Sequence, residues 1–100
     1  MVEERMLNEE IMPLLKARLG ISTDVRDKLL KALIDGIISE CKNTHGIELD
    51  EWPEHIMFVL DWATWKYQHP EDGTTPRSIQ YRLKNMIIQK ECRNDESDLG

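Results

Sequence analysis

Apolar residues recur at helical spacing in four stretches of this chain, and turn chemistry separates the stretches. The first runs from about Asn8 to Leu19, with Ile11, Leu14, Leu15 and Leu19 on one side. Asn8 is a candidate N-cap, Glu9 and Glu10 suit a first turn, and Gly20 suits the stop. Pro13 removes a backbone donor and restricts Met12, so a start near Pro13 is the alternative boundary. The second stretch carries the clearest stripe: Leu30, Leu33, Ile34, Ile37, Ile38 and Cys41, widened by Val25 and Leu29. Ser22, Thr23 and Asp24 offer caps for it, and Gly46 can take a left-handed conformation at its end. Gly36 interrupts the stripe at a cost of about 1 kcal/mol relative to alanine, and is a place where another helix can approach closely.

Pro53 suits the first residue of a third helix, with Glu54 at the positive end of the helix dipole and an end near Gln68. Ile56, Val59, Leu60, Ala63 and Tyr67 make one face, and Phe58, Trp62 and Trp65 a second. A helix apolar on two sides is either central in the core or partly covered by another chain. His69-Pro70-Glu71-Asp72-Gly73 breaks the pattern, and Thr75-Pro76 then reads as N-cap and first residue of a last helix. Ile79, Leu83, Met86 and Ile87 face inward on it, while Tyr81 and Ile88 lie off that stripe. Nothing alternates as a strand does. The expected fold is therefore all-α, a small bundle of four helices at about 8–19, 23–44, 53–68 and 75–92. Residues 1–93 form one helical domain, and 94–100 a flexible acidic tail.

Charge sharpens this picture. The net charge of −6 is uneven: residues 1–75 hold 8 Lys/Arg against 15 Asp/Glu, a net of −7. Residues 76–93 are at +4, from Arg77, Arg82, Lys84, Lys90 and Arg93 against Glu91, and the tail is at −3. An acidic body argues against general nucleic-acid affinity. The basic segment suits an acidic partner, an acidic patch on a neighbouring copy, or plain solvent. No apolar run approaches the roughly 20 residues that span a bilayer, and the first residues do not read as a secretory signal, so a soluble cytoplasmic product is expected. Cys41 and Cys92 are too few for a disulfide scaffold and read as reduced, partly buried thiols.

Catalytic signals are sparse. There is no HExxH, CxxC, glycine-rich phosphate loop or nucleophile elbow. Cys41 and His45 are four apart near the end of the second helix, but two ligands fall short of the four a structural zinc site uses. The pairs Glu9/Glu10 and Asp50/Glu51 sit at expected helix starts, where the helix dipole explains them. The expectation is a protein without enzymatic activity, cofactor or metal. Of the three tryptophans, Trp52, Trp62 and Trp65, the ordinary role is core packing; the functional role is to anchor a subunit contact. A small helical DNA-binding regulator reading DNA through 76–93 is the competing possibility. The break before that segment is longer than a helix-turn-helix uses, and an acidic tail follows it.

The order of features resembles the head–tail connector (head-completion or adaptor) proteins of long-tailed bacteriophages and prophages. A short first helix ends in Leu15-Lys16-Ala17-Arg18-Leu19-Gly20-Ile21, and Thr23-Asp24-Val25-Arg26-Asp27 leads into the long apolar helix from Leu29 to Cys41. Trp52-Pro53-Glu54-His55 opens a helix ending in Trp62-Ala63-Thr64-Trp65-Lys66-Tyr67. Glu71-Asp72-Gly73 precedes a last segment with Ser78 and Tyr81. The likeness spans about residues 8–90 and is one of position; Pro13 and the charged last helix depart from it. It implies a structural subunit that forms a ring below the phage portal and docks a tail-side head-closure protein. DNA passes through the channel without specific binding, and no membrane is involved. The subunit goes from the host bacterial cytoplasm to the virion, and is able to be monomeric when isolated. The candidate interface is Phe58, Trp62, Trp65, Arg77, Tyr81, Arg82 and Lys84, and charge reversal at Arg82 and Lys84 is expected to weaken assembly.

Overall fold

The structure, a computed structural model, describes residues 2–49, 52–71 and 73–99, with side chains over 8–49, 52–71 and 73–89. Four helices follow one another: α1 (Val2–Leu19), α2 (Asp27–Thr44), α3 (Pro53–Gln68) and α4 (Arg77–Leu99), and no strand occurs among the described residues. The expected all-α bundle of four helices is the fold observed. No helix among the described residues is long and apolar enough to cross a membrane.

α3 is central. It packs against each of the other three helices, α1 and α2 also pack together, and among the described residues α4 packs on α3 alone. This resolves the two-sided pattern of α3 in favour of the core. Val59, Leu60 and Ala63 on one face are buried, and so are Phe58 and Trp62 on the other. Phe58 and Trp62 meet edge to face, with ring centroids 5.6 Å apart, a favoured aromatic geometry. Ile11 and Leu15 of α1 and Leu30, Ile34, Ile37, Ile38 and Cys41 of α2 complete the interior. Ile47 and Leu49 of the α2–α3 linker are buried too.

Several boundaries differ from expectation. α1 starts at Val2, so Asn8 is not its cap. Asn8 is instead buried and donates from Nδ2 to Asp35 Oδ1 at 2.6 Å, joining α1 to α2. Glu9 and Glu10 accordingly lie within α1 and not at its start. Pro13 is tolerated because both it and Glu9, whose carbonyl it leaves unpaired, are exposed to water. α2 starts at Asp27, not near residue 23, and Arg26 stands at its N-cap without a side-chain cap bond. The carboxylate of Asp24 is engaged by Lys16, 3.0 Å away, and Asp27 pairs with the same ammonium at 2.9 Å. Val25 and Leu29 are exposed and do not widen the buried stripe. Gly36 is exposed, and nothing lies within 4 Å of the position its Cβ would take, so no helix approaches there.

Other signals act as read. Gly46 adopts φ 67°, and the amides of His45 and Ile47 both donate to the Cys41 carbonyl, at 3.2 and 2.8 Å. Pro53 is the first residue of α3, and the Trp52 carbonyl accepts the Ile56 amide at 3.0 Å. α4 begins at Arg77, one to two residues later than expected. The Pro76 carbonyl accepts the Gln80 amide at 2.9 Å, and Gln80 Nε2 reaches back to the Thr75 carbonyl at 2.6 Å. The backbone of α4 continues to Leu99. The flexible tail expected at 94–100, Cys92 and the pair Asp50/Glu51 fall outside the residues whose side chains are described.

The molecule is elongated, 51 × 29 × 20 Å, with a radius of gyration of 14.5 Å against about 13 Å for a compact chain of this length. α4 accounts for this: its 23 residues make a rod of about 34 Å.

Candidate partner interface

The residues read from the sequence as interface divide into four groups, the last being Trp65 alone, half-buried on the wall of a groove. Phe58 and Trp62 are 0% and 1% exposed. This corrects their assignment as interface: both side chains belong to the buried core of the bundle, Phe58 beneath Arg82 of α4 and Trp62 at the floor of the groove between α2 and α3.

Arg82 belongs to the fold as well. It projects from α4 onto α3, donating to Asp61 Oδ2 at 2.6 Å, with its guanidinium 5.3 Å over the Phe58 ring. Arg18 of α1 binds the other oxygen of the same carboxylate. Partial burial pushes the Asp61 carboxyl up, but the hydrogen bonds from Arg18 and Arg82 outweigh this and hold it below the usual carboxylate range. Reversing the charge of Arg82 would therefore damage the α3–α4 packing before it reported on any partner.

Arg77, Tyr81 and Lys84 remain as surface. At 100° per residue they fall within one narrow arc of α4 with Ile88, opposite Ile79, Leu83 and Met86. Ile79 and Leu83 are buried against α3, whereas Tyr81 is 67% and Ile88 48% exposed. α4 thus carries a second stripe, basic and apolar, that no other helix covers. Ile88 was absent from the candidate set, although its position off the inward stripe was visible in the periodicity.

Two grooves open on the surface of the described residues. The first, about 830 Å³, lies at the α2–α3 linker and is lined by Lys42, Glu48, Trp52, Glu54, His55 and Met86 among others. Trp52, 60% exposed, is its most accessible aromatic residue. The second, about 640 Å³, lies between α2 and the C-terminal half of α3, with Arg26, Leu29, Leu33, Trp65, Lys66 and His69 on its walls. Trp65, half-buried, is stacked on the His69 ring at a centroid distance of 4.6 Å, and His69 Nδ1 lies 3.0 Å from the Trp65 carbonyl oxygen. Arg26 binds the Tyr67 hydroxyl and covers its ring, and the Lys66 ammonium sits 5.1 Å over Trp62.

Among the described residues, those weighed as chemistry do not converge. Cys41 is fully buried, and burial, helped by the charge of Glu40, pushes its thiol up to about 12. His45 points Nε2 toward Glu40 at 3.8 Å. Among the described residues no group of three or more His, Cys, Asp or Glu side chains is placed to hold a metal ion. The described surface carries a helix face and two grooves. No protein-family model, no curated protein and no solved structure matches the chain.

Proposed function

We propose that this chain is a structural subunit of a phage-type head–tail connector, which assembles as a ring below a portal and docks a tail-side head-closure protein. The observation that carries the reading is the uncovered stripe of α4. Arg77, Tyr81, Lys84 and Ile88 face away from the molecule on a helix that, among the described residues, is attached to the bundle through α3 alone. An aromatic residue and an aliphatic residue, exposed together with two cations and with no acidic residue between 76 and 89, suit a partner surface that is apolar at its centre and acidic at its rim. The body of the same chain is acidic, so a neighbouring copy meets the electrical half of that description, and a head-to-tail contact between unlike surfaces is what a ring requires. The order of sequence features resembling connectors points the same way. The subunit on this reading passes from the host cytoplasm to the virion, and an acidic ring lets DNA slide without adhering.

The competing DNA-binding reading loses one of its cations. Arg82 is engaged with Asp61, which leaves Arg77 and Lys84 as the exposed cations of the described part of α4, a small footprint for phosphate recognition.

Mixing the chain with the portal protein of a long-tailed phage, followed by native mass spectrometry and negative-stain imaging, tests the proposal. Several copies per portal, arranged as a ring, are expected, and Tyr81→Ala with Lys84→Glu should reduce their number. Absence of portal binding together with duplex DNA binding that weakens steeply with salt would replace the connector with the regulator.

A further inference from the structure

We infer that the outer stripe of α4 seats in the groove beside the α2–α3 linker of a second copy of this chain. The inference rests on the connector reading and names the two surfaces that would join neighbouring subunits.

The groove presents acid around an aromatic anchor. Glu48, Glu54 and Trp52 line it, and all three are exposed. No cation among the described residues pairs with either carboxylate. Lys42, which also lines the groove, already has a partner within the chain. From 43 to 65 the sequence contains no Lys or Arg, so the two carboxylates have no neighbouring cation along the chain and suit one brought from outside. Trp52 has an extended backbone, φ −62° and ψ 140°, and Pro53 follows it. Its main chain is thus fixed before any contact, and a tryptophan loses little side-chain freedom on binding. Met86 of α4, half-buried, adds an adaptable apolar wall.

The stripe has the complementary make-up. Arg77 and Lys84 supply the cations and Tyr81 and Ile88 the apolar surface, all four exposed, over about 16 Å of helix at 1.5 Å per residue. Neither cation is paired with a carboxylate among the described residues. Trp, Tyr and Arg are the residue types that carry most binding energy at interfaces, and this contact would bring all three together. A helix laid by one face into a groove is a recurring mode of recognition.

Geometry singles out a second copy. Met86 belongs to the groove, and on α4 it lies about 170° round from the centre of the stripe. A molecule therefore cannot seat its own stripe in its own groove. The same placement puts donor and acceptor on opposite sides of one helix. Each copy then offers one surface to the copy before it and the other to the copy after it, the head-to-tail arrangement that closes as a ring. One helix face in one groove is at the small end of specific interfaces, so free chains associate weakly and gain from being arrayed on a common partner.

The test is a concentration series of the full-length chain at low salt, up to about 1 mM, followed by amide and tryptophan-indole NMR shifts and by sedimentation. Shifts are expected at Glu48, Glu54 and the Trp52 indole on one surface and at 77–88 on the other, and both sets should shrink as salt is added. Lys84→Glu and Glu54→Lys should each lower the association constant by roughly tenfold or more, as should Trp52→Ala, with folding checked by circular dichroism. Mixing the Lys84→Glu chain with the Glu54→Lys chain should recover association that each lacks alone, because the reversed charges attract. No self-association over the series overturns the inference. So does wild-type association by either charge-reversed chain, a mixture that stays monomeric, or shifts at 77–88 without shifts at Trp52 and Glu54. Portal binding decides the connector reading separately: a chain that binds portal but not itself overturns this inference alone, and one that associates through both surfaces but binds no portal keeps the contact without the connector.

Discussion

The guanidinium of Arg82 lies between the Asp61 carboxylate, 2.6 Å away, and the Phe58 ring, 5.3 Å away, so this inward-turned arginine of α4 is held by both charge and aromatic surface of α3. Arg18 meets the same carboxylate from α1. Asp61 consequently ties α1, α3 and α4 together, and among the described residues α4 packs on no helix but α3.

Replacing Asp61 by Asn should lower stability by about 1 kcal/mol once solvent screening of this partly exposed group is allowed for. Hydrogen exchange should quicken first in α4. The folded carboxyl titrates below its ordinary range, so its contribution is present above a pH of about 4 and is lost as the pH falls through the folded value. Urea unfolding at stepped pH should show the wild type losing more stability on acidification than Asp61→Asn; equal losses would mean the ion pairs contribute nothing.

Trp62 and Tyr81 are aromatic residues with opposite duties. Trp62→Ala removes a buried ring and should cost about 3–5 kcal/mol. Tyr81→Ala acts on an exposed residue and should leave stability within about 0.5 kcal/mol while weakening portal binding. Paired measurements of urea midpoint and binding discriminate the two; a Tyr81→Ala chain that binds as wild type would remove α4's outer stripe from the interface.

The Cys41 thiol, held up to about 12 by burial, should resist iodoacetamide in the folded protein at pH 8.5 and react once the chain is unfolded. Mass spectrometry of the peptide containing Cys41 reads this directly. Because the folded pKa is raised, stability is full below the unfolded thiol's value of about 8.5 and declines as the pH rises toward 12.

Gly36→Ala should stabilise the protein by about 0.5–1 kcal/mol, since the site is an exposed helix interior with open space around the added Cβ. Gly20, at φ 72°, should respond in the opposite direction by about 1 kcal/mol, because alanine is strained in the left-handed region. Thermal melts of the two variants are sufficient to check both signs.

Helix content and the apolar faces were legible in the residue pattern because they depend on periodicity and on punctuation that acts within a few residues. Pro53 and the His69-Pro70 break bound α3 where expected, Gly46 closes α2, and the α2 stripe from Leu30 to Cys41 is buried as read. The starts of α1 and α2 were not legible. A cap contributes about 1 kcal/mol, and tertiary contacts override it: Asn8 bonds to Asp35, and Asp24 is taken by Lys16. The division between core and surface was decided only by packing. Periodicity places Phe58 and Trp62 on one face of α3 and Tyr81 on one face of α4, but which face is covered depends on how the helices dock. The same holds for Arg82 and Lys84, two residues apart on a basic helix, of which one is bound to Asp61 and the other faces water. Local sequence sets the direction in which a side chain leaves its helix; only the assembled fold sets what it meets there.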